Sequence, residues 1–165
     1  MARKPIAKRR SGCPVSSALD LFGDRWSLLL VRDMMVRGYR TFREFQRAGE
    51  GIATNILSDR LQKLEAGGVL TREAAAEDGR STIYRLTPKG IALAPVMLEM
   101  LIWGAHHEET DAPCAAIEQM EKNRAAVINE AYRRWEQRDI TPLIPPFTTQ
   151  GKRLKLKSPK GKQKG

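Results

Sequence analysis

Residues 52 to 70 read IATNILSDRLQKLEAGGVL, and within them Thr54, Asn55, Ser58, Asp59, Gln62 and Lys63 stand one, three or four positions apart. On a helix, Leu61 and Leu64 fall within about 40° of Leu57, with Ile56 on a flank. Asn55, Asp59 and Gln62 then lie opposite, with Ser58 and Lys63 at the edges. This side carries short hydroxyl, amide and carboxyl groups rather than a Glu/Lys solvent coat. Such groups, placed in a major groove, read base edges and phosphates. Asp59 is the awkward member, because phosphates repel a carboxylate. It is expected to accept from a cytosine amino group or, preferably, to pair with Lys63 four residues on.

Two other places carry groups capable of chemistry. Cys13 precedes Pro14 at a helix start, where the helix dipole favours a thiolate, and Arg9 and Arg10 are close in sequence. It reads either as a redox sensor or as a small packing residue. His106-His107-Glu108-Glu109 resembles a metal cluster only on paper, since neighbours on a helix point about 100° apart. A polar helix end is the expectation there, with no metal. No nucleophile–base pairing and no phosphate-cradling glycine loop is present, so neither an enzyme nor a cofactor is expected.

The elements that must position these groups follow from period and caps. Pro14 opens a helix with Val15, Ala18, Leu19 and Phe22 along one side. Asp24 reads as the N-cap of a second helix bearing Trp26, Leu29, Leu30 and Met34. Thr41-Phe42-Arg43-Glu44 is a capping box for a short helix with Phe42 and Phe45 inward. After the turn RAGEG comes a helix over 54–66, closed by Gly67-Gly68. The period then becomes that of strands: VLTR (69–72) and STIYRL (81–86) flank AAAEDG, a hairpin whose polar tip holds Arg80. Thr87-Pro88 caps one long helix running through Ile91, Leu98, Leu101, Ile102 and Trp103. Asp111-Ala112-Pro113 opens another, with Ile117, Met120, Val127, Ile128, Ala131 and Trp135 along it. It is expected to extend a dimer seam.

The order helix, turn, helix, hairpin is a winged helix-turn-helix arrangement. The fold class is therefore mainly α with a small β-hairpin wing and terminal dimerisation helices. Four segments are expected: a disordered basic arm (1–11), the winged domain (12–104), a C-terminal helical extension (105–139), and a Pro-rich then Lys-rich disordered tail (140–165).

Charge supports an anion-facing role. The net charge is +10, but residues 1–10 hold five basic groups and residues 150–165 hold seven, with no acid in either. Between them, 17 basic groups face 19 acidic ones, so the excess sits in the ends. Residues 24–90 carry 12 basic and 9 acidic groups, whereas residues 91–139 carry 5 and 9. A basic half joined to an acidic half suits one anion-facing surface, and ordinary variation in surface charge explains the middle of the chain about as well. The basic start leads into no apolar stretch of the secretory kind, and no run is long enough to span a membrane. With two cysteines and no C-x-x-C, a disulfide scaffold or structural zinc is not expected, and a reducing cytoplasm is.

CPVSSALDLFGDRWSLLLVRDMM, FREFQRAGEGIATNILSDRLQKLEAGGVL and YRLTPKG together resemble the HxlR-type winged-helix transcription regulators, relatives of the MarR group. The resemblance covers about residues 12–104. It implies a bacterial DNA-binding homodimer, commonly a repressor, on palindromic double-stranded operators, with the wing along the minor groove. Thr54, Asn55, Ser58 and Asp59 match the front of the family's recognition helix, and Arg80 matches the basic wing residue. Arg60 matches a family arginine, but its angle puts it beside the buried face, so an intramolecular or phosphate contact is expected. Dimer contacts from terminal helices would involve Val15, Leu98, Leu101, Ile102 and Trp103. Some relatives sense quinones, aldehydes or oxidants through a cysteine at the position of Cys13, so an oxidant or small-molecule effector is implied. The alternative is an architectural protein that binds DNA through its basic ends without sequence choice.

Overall fold

The computed structural model describes residues 11–74 and 81–143. The basic arm, the wing tip with Arg80 and the Lys-rich tail, all named above, lie outside the described residues. The described chain runs α1 (Pro14–Phe22), α2 (Arg25–Val36), α3 (Phe42–Gln46), α4 (Thr54–Ala66), β1 (Leu70–Ala74), β2 (Thr82–Leu86), α5 (Pro88–Ile91), α6 (Ala94–His107), α7 (Cys114–Lys122) and α8 (Arg124–Glu136).

Side chains placed early in the chain set several of these boundaries. The Asp24 carboxylate accepts from the Trp26 and Ser27 amides and so starts α2. Thr41 and Glu44 form the full capping box of α3. α4 stops at Gly67, and Gly68 follows with φ +70°, a left-handed conformation that favours glycine. The strands pair antiparallel with Leu70 opposite Leu86 and Ala74 opposite Thr82. The Tyr84 amide also donates to the Arg40 carbonyl at 2.7 Å, which ties the wing to the entrance of α3. Leu30, Val31 and Met34 of α2 bury against Phe45, against Leu57, Leu61 and Leu64 of α4, and against the base of the hairpin.

The C-terminal half departs from expectation in three ways. The long helix after Thr87 is two helices, α5 and α6, because Pro95 has no N–H to continue the ladder from α5. The segment after Pro113 is also two helices, broken at Asn123 (φ −127°, ψ 38°). Nor do Ile117, Met120, Val127 and Trp135, expected along a dimer seam, stand free for one, since all four pack within the chain. Ile117 and Met120 are buried within the chain, and the Trp135 indole N–H donates to the Leu86 carbonyl at 2.8 Å. The extension folds back on its own winged domain.

The same packing corrects part of the expected dimer surface. Leu98 and Ile102 are only 6% and 5% exposed, spent against Met120 inside the chain, and Leu101 packs beside them. Val15 (67%) and Trp103 (58%) do stand out, together with Leu19, Val96 and Met100.

The extension is pinned again at its far end. The Leu143 amide donates to the Val36 carbonyl at 2.7 Å. A Cβ on Gly38, whose φ is +75°, would lie 1.9 Å from the Ile140 carbonyl oxygen. Glycine there lets the returning chain touch the end of α2.

Candidate nucleic-acid interface

α4 offers its two sides to different media. Leu57, Leu61 and Leu64 are buried, whereas Thr54, Asn55, Asp59 and Gln62 are exposed and Ser58 is half-buried. The Gln62 side-chain amide donates to the Ser58 hydroxyl at 3.4 Å, the only side-chain bond either makes among the described residues. Both keep capacity for an outside partner. The N-cap of α4 is Ala53, which supplies no side-chain acceptor. The first-turn amides therefore face outward beside Thr54 and Asn55, the arrangement that favours a phosphate.

The basic residues of α4 are used differently from the expectation for Lys63. Lys63 Nζ lies 3.4 Å from Asp24 Oδ2, while Asp59 Oδ2 is 3.1 Å from Nη1 of its neighbour Arg60. The proposed Asp59–Lys63 pair is absent because Asp24, 39 positions earlier, holds the lysine from the α2 side. Arg60 Nε stands 3.3 Å from Asp24 Oδ1, the intramolecular role its angle suggested. Burial pushes the Asp24 carboxyl up, but the Ser27 hydroxyl, the Ser27 and Trp26 amides and Arg60 outweigh it and hold the group below its ordinary value. One carboxylate thus starts α2 and orients α4.

Two basic groups outside α4 were not singled out from sequence. Arg43 on α3 and Arg47 just after it are exposed, and neither guanidinium has a side-chain partner among the described residues. Their signal was only a pair of arginines on the first helix of the motif. At the rear of the turn joining α3 to α4, Arg32 Nη1 pairs with Glu50 at 2.9 Å, and Arg37 Nη1 donates to the Ala48 carbonyl at 2.9 Å. Both arginines also contact the Asp33 carboxylate, which is buried. Burial raises the Asp33 carboxyl against the opposing pull of Arg32 and Arg37.

Cys13 is exposed with a free thiol at the start of α1, and Cys114 is half-buried at the start of α7. His106 Nε2 sits 2.7 Å from Glu121 Oε1, and no group of three metal-binding side chains occurs among the described residues. No helix among them is long and apolar enough to cross a membrane.

Known proteins share this arrangement. The family model described as HxlR-like helix-turn-helix matches residues 21–112, more than half of the chain. The HTH-type transcriptional regulator YybR of Bacillus subtilis (strain 168), itself uncharacterised, is 34% identical over 107 residues, spanning 65% of this chain and 85% of that protein. YodB, an HTH-type transcriptional regulator of the same strain, is 36% identical over 92 residues, 55% of this chain and 81% of that one. Among solved structures, the redox regulator HypR in its oxidised form aligns with a TM-score of 0.54 at 34% identity, covering 59% of this chain and all of that one. The reduced form of YodB aligns with a TM-score of 0.50 at 32% identity, covering 59% and 95%. The family match ends just before Pro113, so α7 and α8 lie beyond it. From a helix-turn-helix with an open polar α4, a two-stranded wing and these matches, the chain is a DNA-binding, HTH-type transcriptional regulator of the HxlR-like family.

Proposed function

We propose that this regulator reads a palindromic operator as a homodimer and represses transcription from it. The observation that carries the proposal is the open side of α4. Asn55, Asp59 and Gln62 stand clear of the core with Ser58 at its edge, while Leu57, Leu61 and Leu64 fix the helix from behind. In this reading Thr54 and Asn55 lead into the major groove, with Ser58, Asp59 and Gln62 behind them. Lys63, Arg80, Arg43 and Arg47 supply charge to phosphates and hence affinity rather than sequence choice. The exposed apolar residues Val15, Leu19, Val96, Met100 and Trp103 provide the surface for the second copy. Two copies would set their α4 helices in successive major grooves, about 34 Å apart.

The test is binding to the promoter beside the chain's own gene. Asn55→Ala and Ser58→Ala should each weaken operator binding by ~1–3 kcal/mol, with smaller losses on unrelated DNA. Equal affinity for operator and random duplex would instead support the architectural reading. Trp103→Glu should yield monomers in sedimentation and lose operator affinity with them; a dimer that persists would remove α6 from the interface.

A redox-responsive form of this function is supported by the exposed Cys13 thiol and by relatives described as redox regulators. Alkylation should release DNA from the native chain and leave Cys13→Ser unaffected. Retained binding by the alkylated native chain would end that role.

A further inference from the structure

α7 and α8, which lie beyond the family match, wall a cavity of about 630 Å³ against α2 and α6. That volume lies within the ~300–1,000 Å³ usual for small-molecule sites. Its apolar wall includes Met35, Met97, Met100 and Met120, four of the chain's six methionines. Methionine side chains are adaptable and make favourable contacts with aromatic rings. Arg32, Arg37 and Glu50 meet at one side of the wall. Arg37 donates through Nη1 to Ala48 and contacts Asp33, but among the described residues its Nε and Nη2 donate to nothing. A guanidinium only donates, so the ligand group that these two positions can bind is an acceptor oxygen.

We infer that this cavity binds a compact ring-bearing molecule with an anionic or carbonyl oxygen directed at Arg37. The consequence for DNA rests on the regulator reading above; the binding itself does not. The polar end of the cavity is built from the same groups that brace the α3–α4 turn, through Arg32–Glu50 and Arg37–Ala48. A ligand oxygen drawing Arg37 away from the Ala48 carbonyl would loosen that turn and re-aim α4. Met100 also belongs to the exposed strip on α6, so the same ligand touches the surface assigned to the second copy.

The experiment uses the full native chain without DNA, with isotope-labelled methionine methyl groups followed by NMR as anilinonaphthalene sulfonate is added. This probe joins fused rings to sulfonate oxygens. The expected result is saturable movement of Met35, Met97 and Met120, with Met34 still. Met34 is buried in the winged core and is not part of the cavity wall. Movement of Met100 alone would place the probe on the outer groove beside Trp103 and overturn the inference. No movement, or movement of all methyls including Met34, would overturn it as well. Val127→Phe, which fills the wall, should weaken the probe about tenfold or more; unchanged affinity in a folded variant would count against the site. Saturating probe should then lower operator affinity. If the probe binds as expected but operator affinity holds, the coupling to the turn is wrong. If the chain shows no operator preference at all, the regulator reading fails while the methyl shifts stand.

Discussion

The winged-helix body and the C-terminal helices use the same amphipathic logic but start their elements differently. In the body, Asp24, Thr41 and Thr87 each accept a hydrogen bond from the first turn of the helix they precede, while α1 and α4 begin without a side-chain cap. In the other region α6, α7 and α8 follow Leu93, Pro113 and Asn123, and none has a side-chain cap. A cap stabilises a helix start by ~1 kcal/mol through contacts made within three residues. Without one, the helix is placed by what its apolar face meets elsewhere. For α8 that is the Leu86 carbonyl through Trp135; for α7 it is the α6 side, where Met120 joins Leu98 and Ile102. Three helices of the body are started locally, whereas the C-terminal helices are all placed by distant contacts. Damage to the body should therefore spread outward, while damage to the extension should stay where it is made.

The strongest way to break this contrast is Leu61→Ala. It empties a fully packed position shared by α2 and α4 and should cost ~2–5 kcal/mol. Urea unfolding followed by circular dichroism and by tryptophan fluorescence should give one coincident, lowered midpoint. A surviving second transition from the extension would show that the extension stands alone. Asp24→Ala comes next, at ~1–2 kcal/mol for the lost cap, and it also removes the carboxylate that Arg60 and Lys63 of α4 share. Trp135→Phe keeps most of the packing and removes one hydrogen bond, ~1 kcal/mol. Limited proteolysis should then cut within 105–143 sooner, with operator affinity unchanged; faster cutting within α2–α4 would contradict the contrast.

The same contrast explains what could be read in advance. Thr41-Phe42-Arg43-Glu44 carries its whole capping box in four residues, and Asp24 stands beside the amides it accepts from. The open side of α4 was legible because helical angle alone separates Leu57, Leu61 and Leu64 from Asn55 and Gln62. Lys63 was misjudged because its partner Asp24 is remote in sequence and no local spacing announces it. Leu98 and Ile102 were placed at a dimer surface because an apolar helix does not say which neighbour covers it. The cavity was invisible for the same reason: Met35, Met97 and Met120 each look like ordinary core until four helices are assembled.

The smallest effect expected is a difference in pH slope between two carboxylates of α2 and its cap. Asp24 is held below its ordinary value, so its contribution to stability is full above the unfolded pKa of ~3.9 and is lost as pH falls through the lower folded value. Asp33 is raised by burial, so its contribution is full below the unfolded value and is lost as pH rises through the folded one. Asp24→Asn should flatten the acid limb of stability, and Asp33→Asn should steepen it. Urea midpoints taken between about pH 3 and pH 7 would measure both; slopes that change in the same direction would show that Arg32 and Arg37 outweigh burial at Asp33.

The bare start of α4 gives the molecule a built-in clock. Because Ala53 offers no acceptor, the amide protons of Thr54, Asn55 and Ile56 should trade with deuterium almost as freely as in a loose peptide, whereas Leu57, bonded to the Ala53 carbonyl, should lag. A duplex seated on that end would slow the first three together, so occupancy could be timed at the backbone without attaching any label to either partner.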